Sequence, residues 1–259
     1  MNSSEPPWKP TFVDTELEFT KFVQSFHGGK TLSDYLGAIP NGYLNADYFI
    51  EVDQVIIELK CLSEDGGDAE IQAKRLAESA RHFGYSGSDV FGWTWRGEPV
   101  PHRIAQHIFN KKIRTVVEAL KKANKQIRST KLLLGIPRAR GLIALANDNN
   151  FGLAPKEAMS ALVKAFRSME DCHTDCIVYF TPNVFHDMGD GIAHTLWFPL
   201  YNVGSEPFGD FVNEFGTSWG DYLHANVQPI LSRRKGDNQE LNESVFSSRL
   251  IPQLRKPKH

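Results

Sequence analysis

The chain has 259 residues, 41% of them apolar, and a formal net charge of −2. This balance excludes a bulk polyanion binder, so any nucleic-acid surface has to be a local basic patch. Three cysteines (Cys61, Cys172, Cys176) exclude a disulfide scaffold, and no apolar run approaches the roughly 20 residues that span a bilayer.

The segment "MNSSEPPWKP" lacks an apolar signal region. With so few cysteines, the expected setting is a reducing one, the cytoplasm. Residues 1 to about 10 read as a loose arm. From Thr15 a helix is expected, because Phe19, Phe22, Val23 and Phe26 recur at helical spacing and "HGG" ends it. Two strands follow, Tyr48–Glu51 and Val55–Leu62, joined around Asp53-Gln54. A helix is expected over Ala69–Phe83, and the aromatic, Gly-rich stretch 84–101 has no clear assignment. A long helical pattern runs from Arg103 to about Gly135, with Pro137 closing it. "GLIALAND" reads as a buried strand and "APKEAMSALVKAFRSM" as an amphipathic helix opened by Pro155. "DCIVYFTP" and "AHTLWFPLYN" are two further strands, a helix covers Phe208–His224, and the tail from Ser232 is basic and polar. The expected fold is α/β: a mixed central sheet flanked by helices, in one domain over 1–259. The core spans about 15–180, C-terminal strands and a helix span 181–231, and the basic tail spans 232–259.

The stretch "NADYFIEVDQVIIELKCL" carries the chemistry. The apolar run Val55-Ile56-Ile57 leads directly into Glu58 and Lys60, and charges there are costly to bury unless paired or bound to a metal. If Glu51 lies opposite Ile56, Asp47 falls opposite Lys60 and Phe49 opposite Glu58. Directly opposed residues share a face and side chains alternate. Asp47, Glu58 and Lys60 then share one face at the open end of the hairpin. A three-residue turn without a bulge would shift the register by one and destroy this. Two carboxylates suit Mg²⁺, which prefers hard oxygen ligands and keeps several waters. A lysine beside them can orient or deprotonate an attacking water, or stabilise charge on a phosphate.

The pattern of Asp47, ten intervening residues, then Glu58-Leu59-Lys60 resembles the PD-(D/E)XK nuclease superfamily, as does the order helix, hairpin, helix, strand. The resemblance covers about residues 15–148, with the strand at 176–180 as an extension. It implies a restriction-endonuclease-like core and a Mg²⁺-dependent nuclease, with Mn²⁺ able to substitute. It implies nucleic acid, DNA in particular, as the partner, a defence, restriction or repair setting, and room for a homodimer. It makes Asp47 and Glu58 metal ligands and Lys60 the catalytic lysine. It also makes Glu18, or second to it Glu16, an accessory acid, and Gln72 a further accessory on the next helix. Ala46 departs from the motif, which has proline there.

Plainer readings stand beside these. Glu-X-Lys also fits a solvated strand face with a cross-strand ion pair. "TELE" from Thr15 also fits a capping box in which Glu18 bonds back to the helix start. A non-catalytic nucleic-acid-binding protein on the same fold is the main alternative function. "CHTDC" (Cys172, His173, Cys176) falls short of the four ligands of a zinc site. His186, Asp187 and His194 would suit a metal phosphohydrolase, but "MGDG" between them reads as a turn. Lys74, Arg75 and Arg81 fit phosphate contacts or a merely solvated helix face.

Overall fold

The computed structural model describes residues 10–37, 44–63, 69–227, 248–251 and 254–256. The expected N-terminal arm falls outside these residues, as does most of the basic tail.

Three near-continuous apolar runs form the middle of the main sheet: β3 (Val55–Cys61), β4 (Arg140–Ala146) and β5 (Cys176–Phe180). They lie side by side and parallel. Such runs are what a strand buried on both faces requires. Short β1 (Lys30–Thr31) and β2 (Tyr48–Ile50) extend the sheet antiparallel beyond β3, and β8 (Trp197–Tyr201) closes the other edge antiparallel to β5. The order is β1-β2-β3-β4-β5-β8. A small second sheet joins β6 (His186–Asp187), β7 (Ala193–His194) and β9 (Arg249–Leu250). The expected mixed α/β architecture is thus present.

Alternation along the strands feeds two cores. Val55, Ile57, Leu59, Leu142 and Ala144 pack with Phe19, Phe22, Phe215 and Trp219, from α1 (Thr15–Ser25) and α7 (Gly209–Asn226). Ile56, Ile143 and Leu145 pack on the opposite face with Leu120, Ala123, Ile127 and Leu162, from α5 (His102–Leu134) and α6 (Pro155–Ser168). Lys60 and Glu58 alternate with Leu59 and therefore look toward the α5 side. The remaining helices are α2 (Leu32–Leu36), α3 (Ala69–His82) and α4 (Gly87–Trp95), with a short 3₁₀ turn at Glu206–Phe208.

Several sequence expectations need correcting. The hairpin closes on Ile50↔Val55, with Tyr48↔Ile57 and Phe49↔Ile56 above it. The turn is therefore Glu51–Gln54, with Gln54 at φ 53° and its carbonyl accepting from Arg140 N–H at 2.8 Å. This register differs from the expected one by two residues, which preserves the face of every side chain. Continued by one position, it sets Asp47 level with Glu58. The first helix is capped by Asp14, which accepts from Leu17 N–H at 3.2 Å, so "TELE" forms no capping box. The unassigned stretch contains α4, opened by a Ser86–Asp89 capping box. Helix α5 ends at left-handed Gly135, ahead of Pro137. "AHTLWFPLYN" divides between two sheets. Part of the tail is built into the fold, since Arg249–Leu250 pair with β6 and Leu254 is buried.

Candidate functional site

The carboxylate of Asp47 accepts from the Leu59 backbone N–H at 2.8 Å. Strand β2 begins at Tyr48, and just before it the Asp47 side chain supplies the acceptor that pins the end of β3. Glu58 beside it is fully buried, and its Oε1 accepts a close ion-paired hydrogen bond from Lys60 Nζ. Lys60 is about a quarter exposed, and Asp47 stands at the solvent side. The two acids and the lysine are brought together on one face.

Electrostatics at this spot are strained in one direction. Burial, with the Asp47 charge second, pushes the Glu58 carboxyl up to about 7, against the opposing pull of Lys60. Asp47 is also raised, mainly by desolvation; the Leu59 N–H and Lys60 pull it back. Glu58 Oε2, Asn45 Oδ1 and Gln126 Oε1 are buried acceptors with no hydrogen-bond partner among the described residues. Buried oxygens left this way cost roughly 1–3 kcal/mol each, and a cation or donor arriving there offsets that cost.

Helix α5 supports the site from behind. Gln126 Nε2 donates to Asn45 O at 2.8 Å and Thr130 Oγ1 accepts from Ala46 N–H at 2.9 Å. Gln126 is near enough to the Glu58 carboxylate to pull its pKa down, after Lys60. Residues 126 and 130 are one turn apart and hold the chain just before Asp47. They were missed in the sequence. Their signal is that they are polar residues on the otherwise apolar stripe of Ala123, Ile127 and Leu134.

Of the two acids on α1, the one expected first is turned away from Asp47 and Glu58. Glu18 accepts from Tyr222 Oη and Lys21 Nζ, each at 2.7 Å, and those bonds lower its pKa. It serves the α1–α7 contact. Glu16 is on the α1 face whose next turn carries Thr20, which bonds Tyr48 Oη at 2.8 Å, and its charge reaches Asp47 and Cys61. Gln72 is exposed on α3, and the glutamine that touches Glu58 is Gln126. Lys74 and Arg81 are exposed on the same helix, and Arg75 is half-buried there.

The start of α1 is tied to the carboxyl ends of β4 and β5. Asp148 accepts from Thr15 Oγ1 at 2.5 Å, from Asn183 Nδ2, and from Lys256 Nζ at 3.2 Å. Asn183 also exchanges two hydrogen bonds with the Val13 backbone. Cys61 has its thiol pushed up to about 12 by burial first and then by Glu16 and Asp148. It stays protonated near neutrality.

The other sequence candidates resolve into structure. Asn124 and Lys131 bond the backbone and side chains of the "CHTDC" turn, and Asp175 pairs with Arg140 at 2.7 Å. His186 is buried in the small sheet opposite His194, with its pKa driven down to about 4 by burial and then by His194. His194 pairs with Asp190 at 2.8 Å, and Asp187 accepts from the Gly189 and Gly191 N–H groups of the turn. Among the described residues, no group of three or more His, Cys, Asp or Glu side chains is placed to hold a metal. No helix among them is long and apolar enough to cross a membrane. No protein-family model, curated protein or solved structure matches the chain.

Proposed function

We propose that the protein is a metal-dependent nuclease that hydrolyses phosphodiester bonds of nucleic acid, DNA in particular, in a cytoplasmic setting of defence, restriction or repair. One observation carries this reading: Asp47, Glu58 and Lys60 converge on one face, with Glu58 Oε2 buried and unpartnered. Their donor chemistry fits Mg²⁺ or Mn²⁺. Mg²⁺ is commonly held by only one or two carboxylates together with waters and substrate phosphate, so two acids suffice. Asp47 and Glu58 would hold the ion. When bound, it supplies Lewis acidity toward a phosphoryl oxygen and lowers the pKa of a water.

The chain's own residues do the rest. Lys60 is within reach of the same pocket, to orient the attacking water or to stabilise the charge that builds on the phosphate. That water's oxygen bonds to phosphorus while the bond to the leaving sugar oxygen breaks. Glu16, at the mouth, can accept the proton the water gives up. Gln126 and Thr130 keep the Asn45–Asp47 segment in register with β3.

The test is cleavage of DNA substrates with Mg²⁺ or Mn²⁺. Lys60→Ala is expected to abolish cutting, a loss of at least a hundredfold, while retaining metal binding. Asp47→Ala is expected to lose both. A Lys60→Ala protein that cuts at the wild-type rate would place the chemistry elsewhere. The Lys60–Glu58 ion pair, which ties up one carboxylate oxygen and the lysine together, favours one second reading, a nucleic-acid-binding protein on the same fold without hydrolysis. Salt-dependent binding with no cutting by the wild type would select it.

A further inference from the structure

Helices α3 and α4 pack on each other, and α3 packs on α5, which joins them to the sheet. On α4, Trp93 packs inward on Tyr85 at 5.2 Å, and Arg103 of α5 bonds Tyr85 Oη at 2.6 Å. Phe91 and Trp95, one turn apart, face outward. They are 54% and 78% exposed, stacked at 6.3 Å, with the Arg96 guanidinium 5.9 Å from the Phe91 ring. Two large aromatic side chains on a capped helix leave most of their surface in water, so the fold itself does not explain them.

A second observation lies along α5. A groove of about 440 Å³ is lined by His107, Asn110, Lys111, Arg114 and Lys164, with no acid among them. Lys111 has Glu78 at 3.6 Å; Arg114 and Lys164 have no acidic partner among the described residues. Lys122 and Lys125 follow Lys111 and Arg114 at intervals of eleven residues, just over three whole turns, so all four fall on one side of α5, together with Glu118, which pairs with Lys121 at 3.6 Å. Lys122 is one turn before Gln126, which touches Glu58. From Arg114 to Gln126 the helix rises about 18 Å, room for a few nucleotides of extended strand. Basic side chains thus run along α5 from the groove toward the candidate site, and α4 with its aromatic pair precedes the same helix in the chain.

We infer that the substrate is single-stranded nucleic acid, its bases stacked on Phe91 and Trp95 and its phosphates tracked along the cationic side of α5 to Asp47, Glu58 and Lys60. A duplex offers no free base face to the aromatic pair, whereas an unpaired strand offers one at every nucleotide. The stripe supplies sequence-independent attraction for the backbone. This deepens the nuclease reading and rests on it only for the place where the strand is cut.

Binding is therefore tested apart from cleavage, in EDTA, by fluorescence anisotropy of labelled oligothymidylate, oligouridylate and a DNA duplex of equal length. The wild type is expected to bind at least one single strand more tightly than the duplex; comparing the two single strands assigns DNA or RNA. Trp95→Ala should weaken single-strand binding about tenfold and leave the duplex nearly unchanged. Lys122→Glu with Lys125→Glu should weaken every substrate and flatten the salt dependence. Tighter binding of the duplex, or no binding of either single strand, would overturn the inference. So would unchanged single-strand affinity in Trp95→Ala, which would point to a protein contact at the aromatic pair. None of these results bears on whether Lys60 is needed for cutting.

Discussion

Glu58 sets the pH behaviour of the site. Its carboxyl titrates at about 7 in the folded chain, against an ordinary value of 4.5. Between those values the folded state holds a proton that the unfolded state has lost, so stability falls as pH rises through this window and levels off above it. Glu58→Gln removes the buried charge. It is expected to raise stability at pH 8 by about 1–3 kcal/mol, with the gain shrinking to little by pH 4.5, as measured by denaturant melts at both values. Metal binding has the opposite sign, because a cation needs the ionised carboxylate: Mn²⁺ affinity by calorimetry should rise from pH 6 to pH 8. Glu16 and Glu18 separate in the same way by residue. Glu16→Gln should slow cutting, whereas Glu18→Gln, whose bonds are to Tyr222 and Lys21, should leave the rate unchanged. The convergence of Asp47, Glu58 and Lys60 was legible because a two-residue slip keeps every side chain on its face. The choice between Glu16 and Glu18 was not, because it depends on α7, some 200 positions away in the chain.

At the scale of elements, α5 is both wall and strut. Its apolar stripe was readable from periodicity, and so were α1, α3, α6 and α7. Its contribution to the site was not, because Gln126 and Thr130 look like interruptions of a core pattern until Asn45 and Ala46 are seen to meet them. Thr130→Val keeps the shape of the side chain but leaves the buried Ala46 N–H without its acceptor. It is expected to cost about 1–3 kcal/mol and to slow cutting, checked by melting and by rate on the same substrate. A drop in stability with an unchanged rate would separate this contact from the site. Helix α4 has no periodic pattern to announce it, because its apolar residues form no single stripe, with Trp93 turned inward and Phe91 and Trp95 outward. Its capping box at Ser86 and Asp89 was the signal that marked it. The strand expected over "AHTLWFPLYN" divides at Thr195-Leu196, where Leu196 N–H is held by Thr181 Oγ1 at 2.8 Å.

Across the whole molecule, three parallel strands carry their apolar runs to one carboxyl edge. Lys60 and Cys61 of β3, Asp148 after β4 and Asn183 after β5 gather there, with the start of α1 and Lys256 tied to the same edge. Ligands of open α/β sheets collect at such edges. The mixed architecture was legible from the order of the apolar runs, whereas the return of the chain's last residues to Asp148 has no local pattern to announce it. The central claim is that Asp47 and Glu58 hold one divalent ion beside Lys60. Anomalous diffraction from crystals grown with Mn²⁺ tests it most directly. The expected result is a peak at about 2.1 Å from a carboxylate oxygen of each acid, with Lys60 turned toward the same cleft. A peak at other residues, or none at saturating Mn²⁺ with the Lys60–Glu58 pair intact, would contradict it.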